Sequence, residues 1–219
     1  MSDDEAELGW VAPEVAAEFP DLRVWWLELG VEARNPARSH PELRARLRDL
    51  SDRLRGPAAI QLRSQPIPHA YRVFYRQIGL DPDVDRVPIE ALVVERLTAG
   101  EFRSGTALQD AVTIAVMETS VPVWALDGDT VRAPLGLRTA REREPLGRRD
   151  DRAPWLPAGR LVVADAEGPV AVLFGDVAAG HGVGPRTRRT VLYSVQVAGV
   201  PSIHVSEALW TVGDILEDL

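Results

Sequence analysis

The sequence contains no cysteine and no lysine. The first absence excludes disulfides, thiolate zinc sites and cysteine nucleophiles together. The second leaves arginine as the source of all 25 basic side chains, so each is a permanently charged planar fork suited to carboxylates and phosphates. Histidine is scarce. His40, His69, His181 and His204 are scattered, with no HxxxH or HExxH spacing, so a metal site built on histidine pairs is not expected. No apolar run approaches the ~18 residues of a membrane span. The opening MSDDEAELGW is acidic where a secretory signal is basic and then apolar. A cytoplasmic protein without a membrane partner is expected. Positive charge is outweighed, with a net charge of −8. That argues against tight, sequence-blind nucleic-acid binding, which needs a basic footprint, and leaves room for a local basic patch.

What is present is ordinary globular composition: 219 residues, 45% hydrophobic and 26% charged, enough to bury roughly 70% of the unfolded surface. No repeat or long linker divides the chain, and a single domain over 1–219 is expected, with 1–9 as an acidic tail. Pro13 starts a short helix that Pro20 ends. LRVWWLELGV (22–31) reads as a buried strand with Trp25 and Trp26 on opposite faces. Ser39 and Glu42 have capping-box spacing. Leu43, Leu47, Leu50 and Leu54 follow at helical intervals, opposite a face carrying Arg44, Arg46, Arg48, Asp52, Arg53 and Arg55. Three prolines predict irregular chain over 57–68. A helix over 69–78 shows Tyr71, Phe74, Tyr75 and Ile78 on one side, with Arg72 and Arg76 four apart on another. Pro88 opens a further helix, with Ile89, Leu92, Val93 and Leu97 inward and Gly100 as its stop.

From Leu108 to about Glu118 the apolar spacing predicts a buried helix, with Asp110 in its first turns where a carboxylate suits the helix dipole. VPVWAL (121–126) reads as a strand, and Asp127-Gly128 signals a hairpin turn into the next strand. Residues 160–165 and 169–174 form a second hairpin. Residues 175–187 form a glycine-rich loop, 191–197 a strand, and Ser206 caps a final helix with Leu209, Val212, Ile215 and Leu216 apolar. Strands and helices do not alternate regularly, so the class is α+β.

The chemistry in these residues is sparse. The glycine-rich loop lacks both a P-loop ending and a strand–GxGxxG–helix setting, and no cofactor is expected. GxSxG is absent. Asp110, Asp127, Asp129, Glu142 and Glu144 offer carboxylates for acid–base work if one is buried, although turn aspartates commonly bond their own backbone. His181 sits in the glycine-rich loop, either as a base or as an exposed loop histidine.

Several stretches resemble a known family. VPVWALDGDTV resembles the "G-x-P-x-x-A-[FY]-D-x-D-x-[IV]" motif of the bacterial phenylalanyl-tRNA synthetase β subunit at Pro122, Ala125, Asp127, Asp129 and Val131. LRTAREREPL resembles its "R-x-A-x-x-G-E" strand and loop, GRLVVADAEGPVAVL its "L-V-I-A-D" hairpin, and TRRTVLYSV its "T-x-N-V-L-L-E" strand. These cover about residues 105–198. AYRVFYRQIGLDP, VPIEALVVERLTAG and FPDLRVWWLELGV resemble free-standing proteins consisting of the B3/B4 domain of that subunit. The resemblance implies a layered α+β fold, with a β-sandwich-like mixed-sheet core flanked by helices. It also implies tRNA or aminoacyl-tRNA as partner, since in the synthetase this domain hydrolyses mischarged tyrosyl-tRNA.

The resemblance aligns His181 with the histidine of the "G-G-E-H-S-G-V" loop, and with Asp176 as the nearest acid the two are the expected catalytic residues of an aminoacyl-tRNA deacylase that is not a complete ligase. Arg72, Arg76, Asp110, Thr113 and Arg138 are the expected substrate-binding residues, Asp110 alone among them matching the "V-D-x-x-N-Y" helix. Two departures stand out. The "V-D-x-x-N-Y" helix keeps only Asp110, and Gly180 stands where the "G-G-E-H-S-G-V" loop has its glutamate. The alternative is a module for an amino-acid-like small molecule that has lost RNA binding and catalysis. A third reading is an oligomerising protein, since six tryptophans can furnish an interface. The oligomeric state is left open.

Overall fold

The longest strand pairing sets residues near the start of the chain against residues near its end: Arg23–Leu29 runs antiparallel to Thr190–Gln196 along its whole length. The computed structural model describes residues 6–30, 39–54, 56–147 and 154–219. Arg55 and the middle of the long loop after residue 141 lie outside the described residues. The chain divides into two units, one built from residues 1–32 and 124–196, the other from 33–123 and 197–219.

The first unit holds the strands β1 (Glu7–Leu8), β2 (Trp10–Val11), β3 (Arg23–Leu29), β4 (Trp124–Asp127), β5 (Gly136–Thr139), β6 (Glu144–Pro145), β7 (Trp155–Leu156), β8 (Leu161–Ala164), β9 (Pro169–Val172) and β10 (Thr190–Gln196), with the short helix α1 (Pro13–Glu18). They form a four-stranded sheet in the order β1-β3-β10-β4, a second in the order β2-β5-β8-β9, and the β6–β7 ribbon. Two expectations from the sequence are corrected and one is met. Residues 7–8 are paired strand rather than tail, because their backbone finds partners in β3, while residues 1–5 of the expected tail lie outside the described residues. The Asp127-Gly128 turn does not close a hairpin: β4 pairs with β10 and β5 with β8, so the turn carries the chain from one sheet to the other. The β8–β9 hairpin is where it was expected.

Gly9 is the other crossing between sheets. Its N–H donates to Val24 O at 2.8 Å, and the next N–H, of Trp10, donates to Leu135 O at 3.1 Å. One residue therefore passes between two backbones, and a Cβ there would lie 2.3 Å from Leu135 O and 2.6 Å from a Val24 methyl. On β3, Val24 and Trp26 are buried, and Trp25 on the opposite face donates its indole N–H to Gln196 at 2.9 Å. Pairing between strands so far apart in sequence is costly in loop closure. It is repaid by apolar burial, since Val191, Leu192, Tyr193, Ser194 and Val195 of β10 are all buried.

The second unit holds α2 (Pro41–Arg53), α3 (Gly56–Leu62), α4 (Pro66–Gln77), α5 (Pro88–Ala99), α6 (Ala107–Thr119) and α7 (Ser202–Glu217). Four helix limits differ from expectation. Residues 56–62 are helical, because Pro57 falls in the first turn, where proline is tolerated. Pro66 likewise starts α4 three residues early. No capping box forms on Ser39 and Glu42: His40 is the N-cap, without a side-chain cap bond. Helix α7 begins at Ser202 after Pro201, so Ser206 is a buried interior residue rather than a cap. The true capping box is on α6, where Thr106 accepts from the Gln109 N–H and Gln109 accepts from the Thr106 N–H.

Helix α4 buries Tyr71, Phe74 and Tyr75 as expected, and Arg72 with them. Arg72 donates through one nitrogen to both oxygens of Glu90 in α5, at 3.0 and 2.8 Å, and through the other to Asp83 at 2.8 Å. The neighbouring carboxylates hold the guanidinium firmly in its charged form against the opposing effect of burial. Glu90 is buried on the face where apolar residues alone were expected, and Leu97 is exposed.

Two stability measurements test these points. Gly9→Ala is expected to cost about 1–3 kcal/mol through overpacking, read as a lower urea midpoint; an unchanged midpoint would contradict the tight crossing. Glu90→Ala is expected to cost about 3–5 kcal/mol by leaving Arg72 charged, buried and short of a partner. Truncating Glu118, which meets Arg46 at a more exposed bridge of 2.7 Å, is expected to cost about 0–1 kcal/mol.

Candidate functional site

The glycine-rich loop expected over 175–187 is a strap on the β unit. At one end Val177 bridges to Ala171 of β9, and at the other Gly182 bridges to Leu126 of β4. It thus touches an edge strand of each four-stranded sheet. The Ala178 N–H donates to Val170 O at 2.8 Å, the His181 N–H to Ala178 O at 3.0 Å, and the Asp127 N–H to His181 O at 2.8 Å. Gly180, at φ 83°, makes the turn between these anchors, a conformation that side chains other than glycine adopt only with strain.

This geometry buries His181. Its residue exposure is 5%, and its Nδ1 has no hydrogen-bond partner among the described residues. The reading as an exposed loop histidine is therefore corrected, because backbone bonds on both sides draw the residue inward. A buried nitrogen without a partner costs about 1–3 kcal/mol, and it is a ready acceptor or donor for a water or ligand. An imidazole in that position can take a proton from an attacking hydroxyl or water. Asp176 lies in the same strap and is exposed; its backbone carbonyl accepts from Val172 at 2.9 Å. No hydrogen bond or ion pair joins it to His181 among the described residues.

Beside the strap, β4 carries Trp124. Its ring stacks on Tyr193 of β10 with centroids 5.4 Å apart and planes at 14°, and it meets Phe174 at 5.6 Å. Such pairs add about 0.5–1.5 kcal/mol beyond area burial. Burial pushes the Tyr193 hydroxyl well above its usual range, so it stays protonated. Nothing in the strand pattern showed that these three rings meet, because the register of β4 on β10 brings Trp124 opposite Tyr193.

The remaining candidates are distributed between the units. Asp110, in α6, is buried; one oxygen accepts from Ser104 Oγ at 2.7 Å and the other from the Gly105 N–H at 2.8 Å. Thr113 donates to the Gln109 carbonyl at 2.9 Å. Arg72 is committed to Glu90 and Asp83, while Arg76 on the same helix is exposed. Asp127 accepts from the Asp129 N–H at 3.1 Å, as turn aspartates do, and Asp129 meets Arg189 at 3.3 Å. Asp165 fastens the β8–β9 turn by accepting from the N–H groups of Arg132, Glu167 and Gly168 at 2.8–3.0 Å. Arg138 grips Glu144 with both terminal nitrogens, at 2.8 and 2.5 Å. Among the described residues no group of three or more His, Asp or Glu could hold a metal ion, and no helix is long and apolar enough to cross a membrane.

Comparison with known proteins bears out the resemblance. No family model matches the chain. The phenylalanine–tRNA ligase β subunit of Xylella fastidiosa (strain Temecula1) is 35% identical over 94 residues, which is 43% of this chain and 12% of that subunit. The corresponding subunit of Tropheryma whipplei (strain Twist) is 30% identical over 117 residues, 53% of this chain and 11% of the subunit. The chain thus matches only about an eighth of the length of these curated relatives. An N-terminal fragment of the phenylalanyl-tRNA synthetase β subunit from Pyrococcus horikoshii aligns with a TM-score of 0.39 and 15% identity, covering 50% of this chain and 40% of that one. About half of this chain is therefore similar in sequence to part of the synthetase β subunit, and its described helices and mixed sheets make an α+β fold.

The Arg138–Glu144 pair gives this region a pH signature. The Arg138 fork holds the Glu144 carboxyl below the usual carboxylate range, with help from the Arg141 N–H and against the opposing effect of burial. A carboxyl depressed on folding stabilises fully above its unfolded value of about 4.3, and the stabilisation is lost as pH falls through the folded value. Glu144→Gln should lower stability at neutral pH and flatten the loss of stability below about pH 4. Parallel acid limbs in parent and variant would contradict this.

Proposed function

We propose that this chain is a tRNA- or aminoacyl-tRNA-binding protein of the B3/B4 type that hydrolyses mischarged aminoacyl-tRNA in trans. The observation that carries the reading is the 35% identity over 94 residues to a phenylalanine–tRNA ligase β subunit. The buried imidazole of His181, with a nitrogen lacking a partner, supports it. In this reading the whole chain acts as one B3/B4-like domain, with 105–198 as its most recognisable part, and a cytoplasmic location goes with it.

The chemistry is ester hydrolysis. Water attacks the carbonyl carbon joining the amino acid to the tRNA ribose, and His181 takes a proton from that water. The tetrahedral intermediate then expels the ribose oxygen, which leaves as a hydroxyl once it regains a proton. Asp176, exposed in the same loop, assists by attracting the substrate's ammonium group. Thr113 and Arg76 serve as substrate contacts, Arg76 as a phosphate contact. Arg72, Arg138 and Asp110 act by holding the surrounding chain, because their polar atoms already have partners.

A second reading, an amino-acid-like small-molecule module, is favoured by the net charge of −8 and by Gly180 in place of the loop glutamate. Two measurements separate them. Purified protein should deacylate mischarged tyrosyl-tRNA above background, and His181→Ala should lower the rate about 10²–10⁴-fold, the usual span for a general base. No rate above background would remove catalysis, and an unchanged rate in the variant would remove only the role of His181. Affinity for tRNA should fall steeply as salt rises, because phosphate contacts release counterions. Absence of tRNA binding at low salt would favour the small-molecule reading.

A further inference from the structure

A cavity of about 790 Å³ opens on the β unit away from the strap, lined by Arg143, Glu144, Pro145, Gly147, Trp155, Glu167 and Pro169. Its size falls in the range of about 300–1,000 Å³ typical of small-ligand sites. We propose that this groove binds a nucleotide, with the aromatic base stacked on Trp155 and the phosphate against Arg143.

Three observations carry the assignment. Trp155 is 62% exposed, although a tryptophan on a strand is usually covered. It sits opposite Pro145 in the β6–β7 ribbon, which fixes the backbone beneath the ring. Arg143 has φ 55°, a left-handed conformation that an arginine adopts only under constraint. The constraint is visible: the Glu144 carboxylate accepts from the Arg141 N–H at 2.8 Å while Arg138 grips it. Arg143 therefore holds a cation at a backbone position that favours glycine. The third observation is charge. Glu144 faces Arg138, and Glu167 meets Arg132 at 3.4 Å. Both lining carboxylates thus have arginine partners, whereas Arg143 makes no ion pair among the described residues, so the lining charge left for a ligand is a cation beside an open aromatic face. A planar ring joined to an anionic group matches that pairing. Neutral aromatics lack the second contact and free phosphate lacks the first.

The nucleotide can be free or part of a single strand, and the test distinguishes these. Binding of adenosine 5′-monophosphate, adenosine, inorganic phosphate and a six-residue oligoadenylate is measured by calorimetry at low salt on the full chain. Saturable 1:1 binding of the monophosphate is expected, about tenfold weaker in Trp155→Ala, as for loss of one stacked base. Arg143→Gly suits the left-handed backbone and should fold normally. It should weaken the monophosphate while leaving adenosine unchanged. Tighter, strongly salt-dependent oligoadenylate binding identifies a strand, and equal affinity identifies a free nucleotide; either result supports the pocket. The proposal is overturned if the monophosphate does not bind, if both variants bind it like the parent, or if inorganic phosphate binds equally well. It does not rest on hydrolysis at His181: His181→Ala should bind the monophosphate normally, and a protein inactive on mischarged tRNA would leave the pocket standing.

Discussion

Backbone hydrogen bonding between the two four-stranded sheets is the constraint on which the β unit depends. An open sheet leaves edge groups that need partners. Here one side is closed at Gly9, where a single residue hands the chain from β1 to β2. Another closure is the strap, which bridges to β9 through Val177 and to β4 through Gly182. The space available sets the residue types: Gly9 has no room for a Cβ, and Gly180 must turn with positive φ. The candidate chemistry is a by-product of this closure, because the bonds that close the edge also pull His181 out of solvent.

Electrostatics in the helical unit follow a different logic. A surface arginine on α4 would cost nothing, yet Arg72 is buried and bonded to Glu90 and Asp83. Burying such a pair gains little over well-packed apolar residues, but breaking it is expensive. The arrangement therefore specifies how α4 and α5 meet more than it adds stability. Arg138 and Glu144 do the same in the β unit, where the pair shapes the turn that holds Arg143. In a chain whose every basic residue is arginine, bidentate pairing of this kind recurs as a means of fixing loop geometry.

The motif resemblance read from the sequence and the physical reading of the residues meet in the strap. The loop that resembles the editing segment is the one whose histidine is buried with an unpaired nitrogen. Its departure, glycine in place of glutamate, falls at a left-handed position, where glycine relieves strain. The groove at Trp155 and Arg143 is the reverse: there a position that favours glycine carries a charged side chain. The two loops thus exchange backbone ease for chemistry in opposite directions.

The α+β class, the hairpin of β8 and β9, the apolar faces of α2, α4, α6 and α7, and the likeness to the synthetase subunit are all legible along the chain. Each rests on local periodicity, turn residues or an ordered run of motifs. Prolines mislead the sequence reading at residues 57–68 and before α7, because proline in a first turn promotes the helix that it would break further in. Which strands pair, the passage of Asp127-Gly128 between two sheets, the burial of Arg72 and the meeting of Trp124, Phe174 and Tyr193 emerge with the folded chain. Those outcomes depend on partners far away in sequence, and one residue's pattern carries no information about what will lie opposite it once the chain has closed.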